Sequence, residues 1–280
     1  MTTTTLSRSE ILDGFHRKID AGHPIIGGGA GVGLSAKCAE AAGTDFAVIY
    51  NSGRYRMAGR SSMAGLMPYG DANQIVWDMA METLPVVDRL PIVAGVCGSD
   101  PFRIIPYFVR QLAEIGCAGV QNYPTVCLFD GIIRANLEET GLGFDKEVEL
   151  VRIAHAMDLL TVAYVHTEAE AEAMADADAD AVVAHAGLTT SGTIGATTAL
   201  SLDDAIRFVA RIRDAATATR PDVLVFAHGG PIATPADAGR VLSEVPGIHG
   251  FLGASSMERL PTETAMTEHI RSFVDLPLGR

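Results

Sequence analysis

Eight nearly unbroken apolar runs recur along the chain. Each is followed by a turn and then by a segment whose apolar residues return every three or four positions. The runs are PIIGGG (24–29), FAVIYN (46–51), PIVAGVC (91–97), AGVQNY (118–123), LTVAYVH (160–166), AVVAHAG (181–187), VLVFAHGG (223–230) and GFLGASS (250–256). Continuous hydrophobicity, rather than alternation, is the pattern of parallel strands buried on both faces. The intervening segments carry helix signals. SRSE at 7–10 and TEAE at 167–170 fit the Ser/Thr-x-x-Glu capping box. DANQIVWDMAMETL (71–84) predicts a helix with Ile75 and Met79 turned inward, and DKEVELVRIAHAMDLL (145–160) repeats apolar residues at 148, 151, 154 and 157. SLDDAIRFVARIRDA and PADAGRVLSEV keep the same period.

Eight strand–helix units predict an α/β chain folded as a single (β/α)8 TIM barrel, with an extra helix at about 7–21 ahead of the first strand. No linker rich in Pro, Gly and Ser divides the chain, so one domain is expected over 1–280. Two connections are long, 52–70 after the second strand and 124–144 after the fourth. Long loops on this side of a barrel carry function.

Composition narrows the classes. The 280 residues carry a net charge of −13, which argues against general affinity for nucleic acid or an anionic membrane. An anionic ligand must then be caught by a local basic cluster. The four cysteines, Cys38, Cys97, Cys117 and Cys127, form no CxxC pair, so neither a zinc finger nor a disulfide framework is expected. No apolar run reaches about 18 residues, and MTTTTLSRSE lacks the regions of a signal peptide. A cytoplasmic protein and a homo-oligomer are the expectations.

In such a barrel the active site lies at the carboxyl ends of the strands. Polar residues cluster there: Asn51 and Ser52, then Cys97, Ser99 and Asp100, then Gln121 and Asn122. His166, His185 and His228 end strands five to seven, with Gly229 and Gly230 after the last, and Ser255 and Ser256 end the eighth. HAGLTTSGTIGA (185–196) adds Thr189, Thr190, Thr193 and Gly195, whose hydroxyls and backbone N–H groups could hold a carboxylate or phosphate; a lid hinge or subunit contact is the alternative. Arg54, Arg56 and Arg60 stand close together in the loop after strand two. Arg54 or Arg60 is expected to point into the mouth as the anion clamp, or else to pair with carboxylates or a neighbouring subunit.

GGGAGVG (27–33) resembles a dinucleotide fingerprint loosely, but the second strand ends in Asn51 rather than an acid, so no nicotinamide cofactor is expected. These glycines either admit a ligand to the backbone or close the barrel tightly. Three strand-end histidines could hold a divalent metal, yet no HxH or HExxH pair accompanies them, and acid–base work by His185 and His228 is preferred. Alternation would put both imidazoles at the rim, sharing a ligand. Cys97 is either a nucleophile or a packing residue, with Asp100 as a reserve catalyst.

The motifs YNSGRYRMAGRSSMAGLMPYGDAN, AGVCGSDPFR, GVQNYPTV, HAGLTTSGTIGA, HGGPIATPADA and GFLGASSMERLP together resemble the phosphoenolpyruvate hydrolase-like family, also labelled TIM-barrel signal transduction proteins, over about residues 8–272. The resemblance implies a barrel of the phosphoenolpyruvate/pyruvate group. Members that handle phosphonopyruvate or phosphoenolpyruvate hold Mg²⁺ with several Asp and Glu at strand ends; here the ends read NSG and CGSD, and only Asp100 could serve. The resulting expectation is a hydrolase or lyase cleaving a bond near the carbonyl of a small anionic oxo-acid, without a required cofactor. A ligand-sensing barrel without turnover is the alternative.

Overall fold

The structure is a computed structural model that describes residues 6–279. Eight parallel strands close a barrel in chain order: β1 (Ile25–Gly29), β2 (Phe46–Ile49), β3 (Ile92–Val96), β4 (Gly119–Asn122), β5 (Leu160–Val165), β6 (Ala181–His185), β7 (Leu224–His228) and β8 (Gly250–Gly253). Each lies inside one of the apolar runs. Closure is direct, with Ile25 paired to Gly250 and Gly28 to Gly253. The helices are α1 (Arg8–Asp20), α2 (Gly33–Ala41), α3 (Asn51–Met57), α4 (Ala72–Thr83), α5 (Ile105–Glu114), α6 (Gly131–Glu139), α7 (Asp145–Ala156), α8 (Glu168–Asp176), α9 (Leu202–Thr219), α10 (Pro235–Glu244) and α11 (Arg259–Val274). No helix among the described residues is long and apolar enough to cross a membrane.

Local signals act as expected at several points. Both capping boxes form, Ser7 with Glu10 and Thr167 with Glu170. On α7 the buried face contains Val148, Val151 and Ala154. On α4 the stripe is rotated from the expected one. Val76, Met79, Ala80 and Thr83 are buried while Ile75 is half-buried. The two long connections are not plain loops. The first holds α3 and a 3-10 turn at Ser62–Leu66; the second holds a 3-10 turn at Val126–Leu128 and α6.

The barrel interior is filled from below by aromatic rings. Phe46 of β2 stacks on Phe226 of β7 at 6.1 Å, and Phe15 of α1 sits 5.9 Å from Phe46. The extra N-terminal helix thus plugs the floor. Small residues make room for these rings. A side chain on Gly27 would overlap the Phe46 ring and Leu252, so the glycine run of β1 is a packing requirement of closure.

One buried carboxylate ties α1 to the barrel. Asp180 accepts a forked bond from Arg8, at 2.6 Å from Nη2, and bonds from the backbone N–H and hydroxyl of Thr161. Asp180→Ala is expected to lower the unfolding free energy by about 1–3 kcal/mol, since it leaves the buried Thr161 N–H without a partner and removes the forked bond to Arg8, which keeps its contacts to Asp158 and His155. Urea titration measures this; a loss below about 1 kcal/mol would assign the clasp a minor role.

Candidate active site at the barrel mouth

The upper end of the barrel is closed by a layer of polar aromatic side chains. Tyr50 follows β2, Tyr123 follows β4, Tyr164 lies near the end of β5, and His185 and His228 end β6 and β7. Tyr50 and Tyr123 approach to 4.9 Å between ring centroids, and Tyr123 and Tyr164 to 6.2 Å. Tyr164 lies 4.8 Å from His185 and 4.9 Å from His228. The two histidines are direct register partners, 4.6 Å apart.

Hydrogen bonds fix a different tautomer on each imidazole. A carbonyl only accepts, so the 2.6 Å contact from His228 Nδ1 to the Leu252 carbonyl places a proton on Nδ1. The Nε2 lone pair then faces the Tyr164 hydroxyl at 3.3 Å. His185 Nδ1 instead accepts the Gly187 N–H at 3.2 Å, which leaves the proton on its Nε2. Both rings are about 5% exposed. Burial holds His185 well below the usual imidazole range, with His228 and His166 adding to the effect. Burial pulls His228 down to about 4, against its bond to Leu252. The expected titration near neutral pH is therefore corrected: both imidazoles are neutral there. Burial also pushes the Tyr164 and Tyr123 phenols up. His166 is outside this cluster. It is exposed, donates to the His185 carbonyl at 2.9 Å and packs on Phe208.

The arginine of the mouth is Arg56, not Arg54 or Arg60. The chain turns into α3 at Asn51, so positions 54 and 56 lie on opposite sides of one helix. Arg54 pairs with Glu82 at the surface, and Arg60 is exposed beyond the helix end. Arg56 is 2% exposed, lies over the Tyr50 ring at 5.6 Å, and donates from Nε and Nη2 to Glu258 at 2.8 and 2.5 Å. Glu258 also accepts the Gly31 N–H at 2.6 Å. Gly31 must lack a side chain because the Gly53 backbone occupies that space. The pair with Glu258 and the contact with Tyr50 keep Arg56 charged despite its burial.

Tyr50, Arg56, Tyr123, Tyr164, His185 and His228 line one pocket, roofed by Ser62, Met63, Leu188, Thr189 and Ser255. The space open to water centres within it is about 30 Å³, room for more than a single water.

The remaining expected residues take other places. Asn51 donates to the Gly65 carbonyl and Ser52 to the Ser62 carbonyl, which together hold the 3-10 turn of the roof, and the Tyr123 hydroxyl meets Ser52 at 2.7 Å. Thr190 donates its N–H to Gly230. Thr193 is exposed and bound to Glu263 of α11, while Arg259 donates to the Ser191 carbonyl. Gly195 packs against Ser191 within the same turn, and Ser256 is half-buried. Gly229 and Gly230 have φ of 75° and 57° and lie against the 186–187 backbone, so they join two loops. Asn122 faces the helix layer, where it meets Glu147. Gln121 is 1% exposed, and both ends of its amide lack a partner among the described residues.

Cys97 and Asp100 are not brought to the pocket. Burial raises the Cys97 thiol above its usual range, the opposite of what a nucleophile needs. Asp100 accepts from the Asn73 amide and the Phe102 N–H and forms an ion pair with Arg103. Sequence reasoning passed over Tyr50, Tyr123, Tyr164 and Glu258. Tyr50 and Tyr123 stand just past strand tips, a signal that was available in the runs; Tyr164 lies inside its strand and reads as core, and Glu258 had no signal.

Two measurements check this site. Arg56→Met should cost about 3–5 kcal/mol because it leaves Glu258 buried without its partner, whereas Arg60→Ala should stay within about 0.5 kcal/mol; chemical denaturation separates them, and equal effects would contradict the assignment. Acid stability tests the imidazole. The unfolded chain takes up the His228 proton near 6.5 and the folded chain only near 4. Stability should fall as pH drops through that window, by about 3 kcal/mol for this residue. His228→Gln should flatten this part of the curve, and an unchanged slope would speak against a buried neutral ring.

The sequence matches the family described as phosphoenolpyruvate hydrolase-like over residues 10–276. The ToMV resistance protein Tm-1(GCR237) of Solanum lycopersicum is 53% identical over 275 residues, covering 98% of this chain and 36% of that protein. The chain thus spans little more than a third of that relative's length. Among solved structures, a phosphonopyruvate hydrolase in complex with oxalate and Mg²⁺ has a TM-score of 0.61 at 16% identity, covering 98% of this chain and 92% of that one. An oxaloacetate acetylhydrolase has a TM-score of 0.58 at 17% identity, with 95% and 88% covered. These structural likenesses bear on the fold. With the match extending over almost all of the barrel, the chain belongs to the phosphoenolpyruvate hydrolase-like family.

Proposed function

We propose that this barrel is a hydrolase or lyase that cleaves a bond beside the carbonyl of a small oxo-acid. The observation that carries the reading is the neutral histidine pair in opposite tautomers, lining one pocket. One ring offers a lone pair and the other an N–H. His185 Nε2–H meets the carbonyl oxygen and stabilises the negative charge that grows there; a neutral imidazole can do this where burial suppresses protonation. In hydrolysis His228 Nε2 takes a proton from the attacking water, directly or through the Tyr164 hydroxyl, and returns it to the leaving group as the bond breaks; in a lyase reaction it takes the proton of a substrate hydroxyl and returns it to the carbon that departs. Arg56 is balanced by Glu258, so it contributes directed hydrogen bonding rather than a free positive charge. The hydroxyls of Thr189 and Ser255, which line the roof, hold the carboxylate end. The names of the similar solved enzymes, a phosphonopyruvate hydrolase and an oxaloacetate acetylhydrolase, support the substrate class.

Mg²⁺ does not fit the donor set of this mouth. It requires oxygen ligands in octahedral array. Glu258 is committed to Arg56 and Gly31, and Asp100 to Asn73, Phe102 and Arg103. The proposed chemistry therefore runs through imidazole and phenol groups. The same compensated charge favours a second reading, a barrel that binds a metabolite without turning it over.

Proton NMR of the purified chain with oxaloacetate, phosphonopyruvate and related oxo-acids tests both. Turnover is expected, lowered by about 10²-fold or more in His185→Gln and in His228→Gln and unaltered in Arg60→Ala. The rate should fall only as pH drops toward about 4, where His228 becomes protonated. Full activity in either histidine variant would remove that residue from the mechanism. Saturable binding with no turnover of any oxo-acid would favour the sensor.

A further inference from the structure

We propose that Asn122 and Glu147 are positioning residues that hold Tyr164 against His228 from outside the barrel. The inference rests on the reading of Tyr164 and His228 as part of the reacting site, but its geometry stands independently of any substrate.

The ladder between β4 and β5 ends early. Its pairs are Gly119 with Leu160 and Val120 with Thr161, yet β5 continues to Val165. Tyr164 therefore needs another partner on its β4 side. The Asn122 side chain takes that place as a stand-in peptide group. Its Oδ1 accepts the Tyr164 N–H at 2.6 Å, and its Nδ2 donates to the Tyr164 carbonyl at 3.0 Å. An amide can do this in one orientation only, because the flipped form would set N–H against N–H.

Glu147 selects that orientation. From α7 its carboxyl group accepts the second Asn122 Nδ2 hydrogen at 2.5 Å, the Thr125 hydroxyl at 2.7 Å and the Val126 N–H at 2.7 Å; burial pushes its pKa up to about 8 against these three bonds, and in either protonation state the oxygen facing Asn122 accepts. Asn122 is fully buried and Glu147 is 2% exposed, so water does not compete for these bonds. A continuous chain results, from Glu147 to Asn122, to the Tyr164 backbone, and from the Tyr164 hydroxyl to His228. Loss of the Asn122 bridge frees the last turn of β5 at the one residue whose phenol reaches the imidazole.

The test reads His228 directly. In protein labelled with ¹⁵N-histidine, Tyr164→Phe removes the hydroxyl from Nε2 and shifts its resonance, which sets the scale. Asn122→Ala is expected to move the same resonance by at least half that displacement. Glu147→Gln should do so too, although it conserves volume. The carboxamide can keep the Val126 N–H only by turning its NH₂ toward Asn122, which drives the Asn122 amide to flip. Thr161→Val, on the same strand but bonded to Asp180, controls for general loosening and should leave the signal in place. Circular dichroism confirms folding, and Glu147→Gln serves if Asn122→Ala does not fold. An unshifted His228 resonance in the folded Asn122 and Glu147 variants would overturn the proposal. So would a Tyr164→Phe protein identical to wild type, since the pair being positioned would then be absent. No turnover is needed, so failure of the oxo-acid reading leaves this result interpretable.

Discussion

Parallel pairing of β1 with β8 closes the sheet, and closure fixes where every inward side chain can go. An open sheet could relax a crowded position sideways; a closed one has a fixed circumference. Large rings on one strand must meet small residues on another. Phe46 and Phe226 occupy the lower interior because Gly27 gives way, and the Tyr50 side chain lies where a side chain on Gly95 would have been. The polar layer above is set by the same rule. With β6 and β7 in register, His185 and His228 can only be neighbours.

The layer is a compromise between burial and polarity. Two imidazoles and the Tyr123 and Tyr164 phenols would be unfavourable as ions in so buried a layer, and burial holds them neutral. Charge enters only where it is answered at once, as in Arg56 with Glu258. An acidic surface and a mouth without excess charge are consistent with a small ligand recognised by directed hydrogen bonds rather than long-range attraction.

The barrel was legible because strands buried on both faces leave an unbroken apolar signature, and the histidines because they ended such runs. Arg56 was hidden by secondary structure. Read as a loop, 52–70 offers three equivalent arginines; folded as a helix, it turns one of them inward. Tyr164 was hidden by its strand, since an aromatic within an apolar run reads as core until its hydroxyl is seen to have a partner. Asn122 sat correctly at a strand tip, but its direction depends on where the ladder with β5 stops, which no local pattern records. Cys97 and Asp100 have the right residue types at the right end of a strand, and Asn73 draws both the Cys97 backbone and the Asp100 side chain into the helix layer.

The bond between Arg56 and Glu258 joins residues 202 positions apart in the chain. Neither can be neutralised alone without leaving an isolated charge in a dry site. A change at one position therefore needs an answering change at the other: loss of one alone would be strongly destabilising, whereas exchange of both for apolar residues of similar volume would not. Gly31, whose N–H holds the same carboxylate and whose missing side chain admits the Gly53 backbone, is drawn into that linkage. Three positions far apart in the chain are thus energetically coupled, so that a substitution at any one changes what the other two can tolerate.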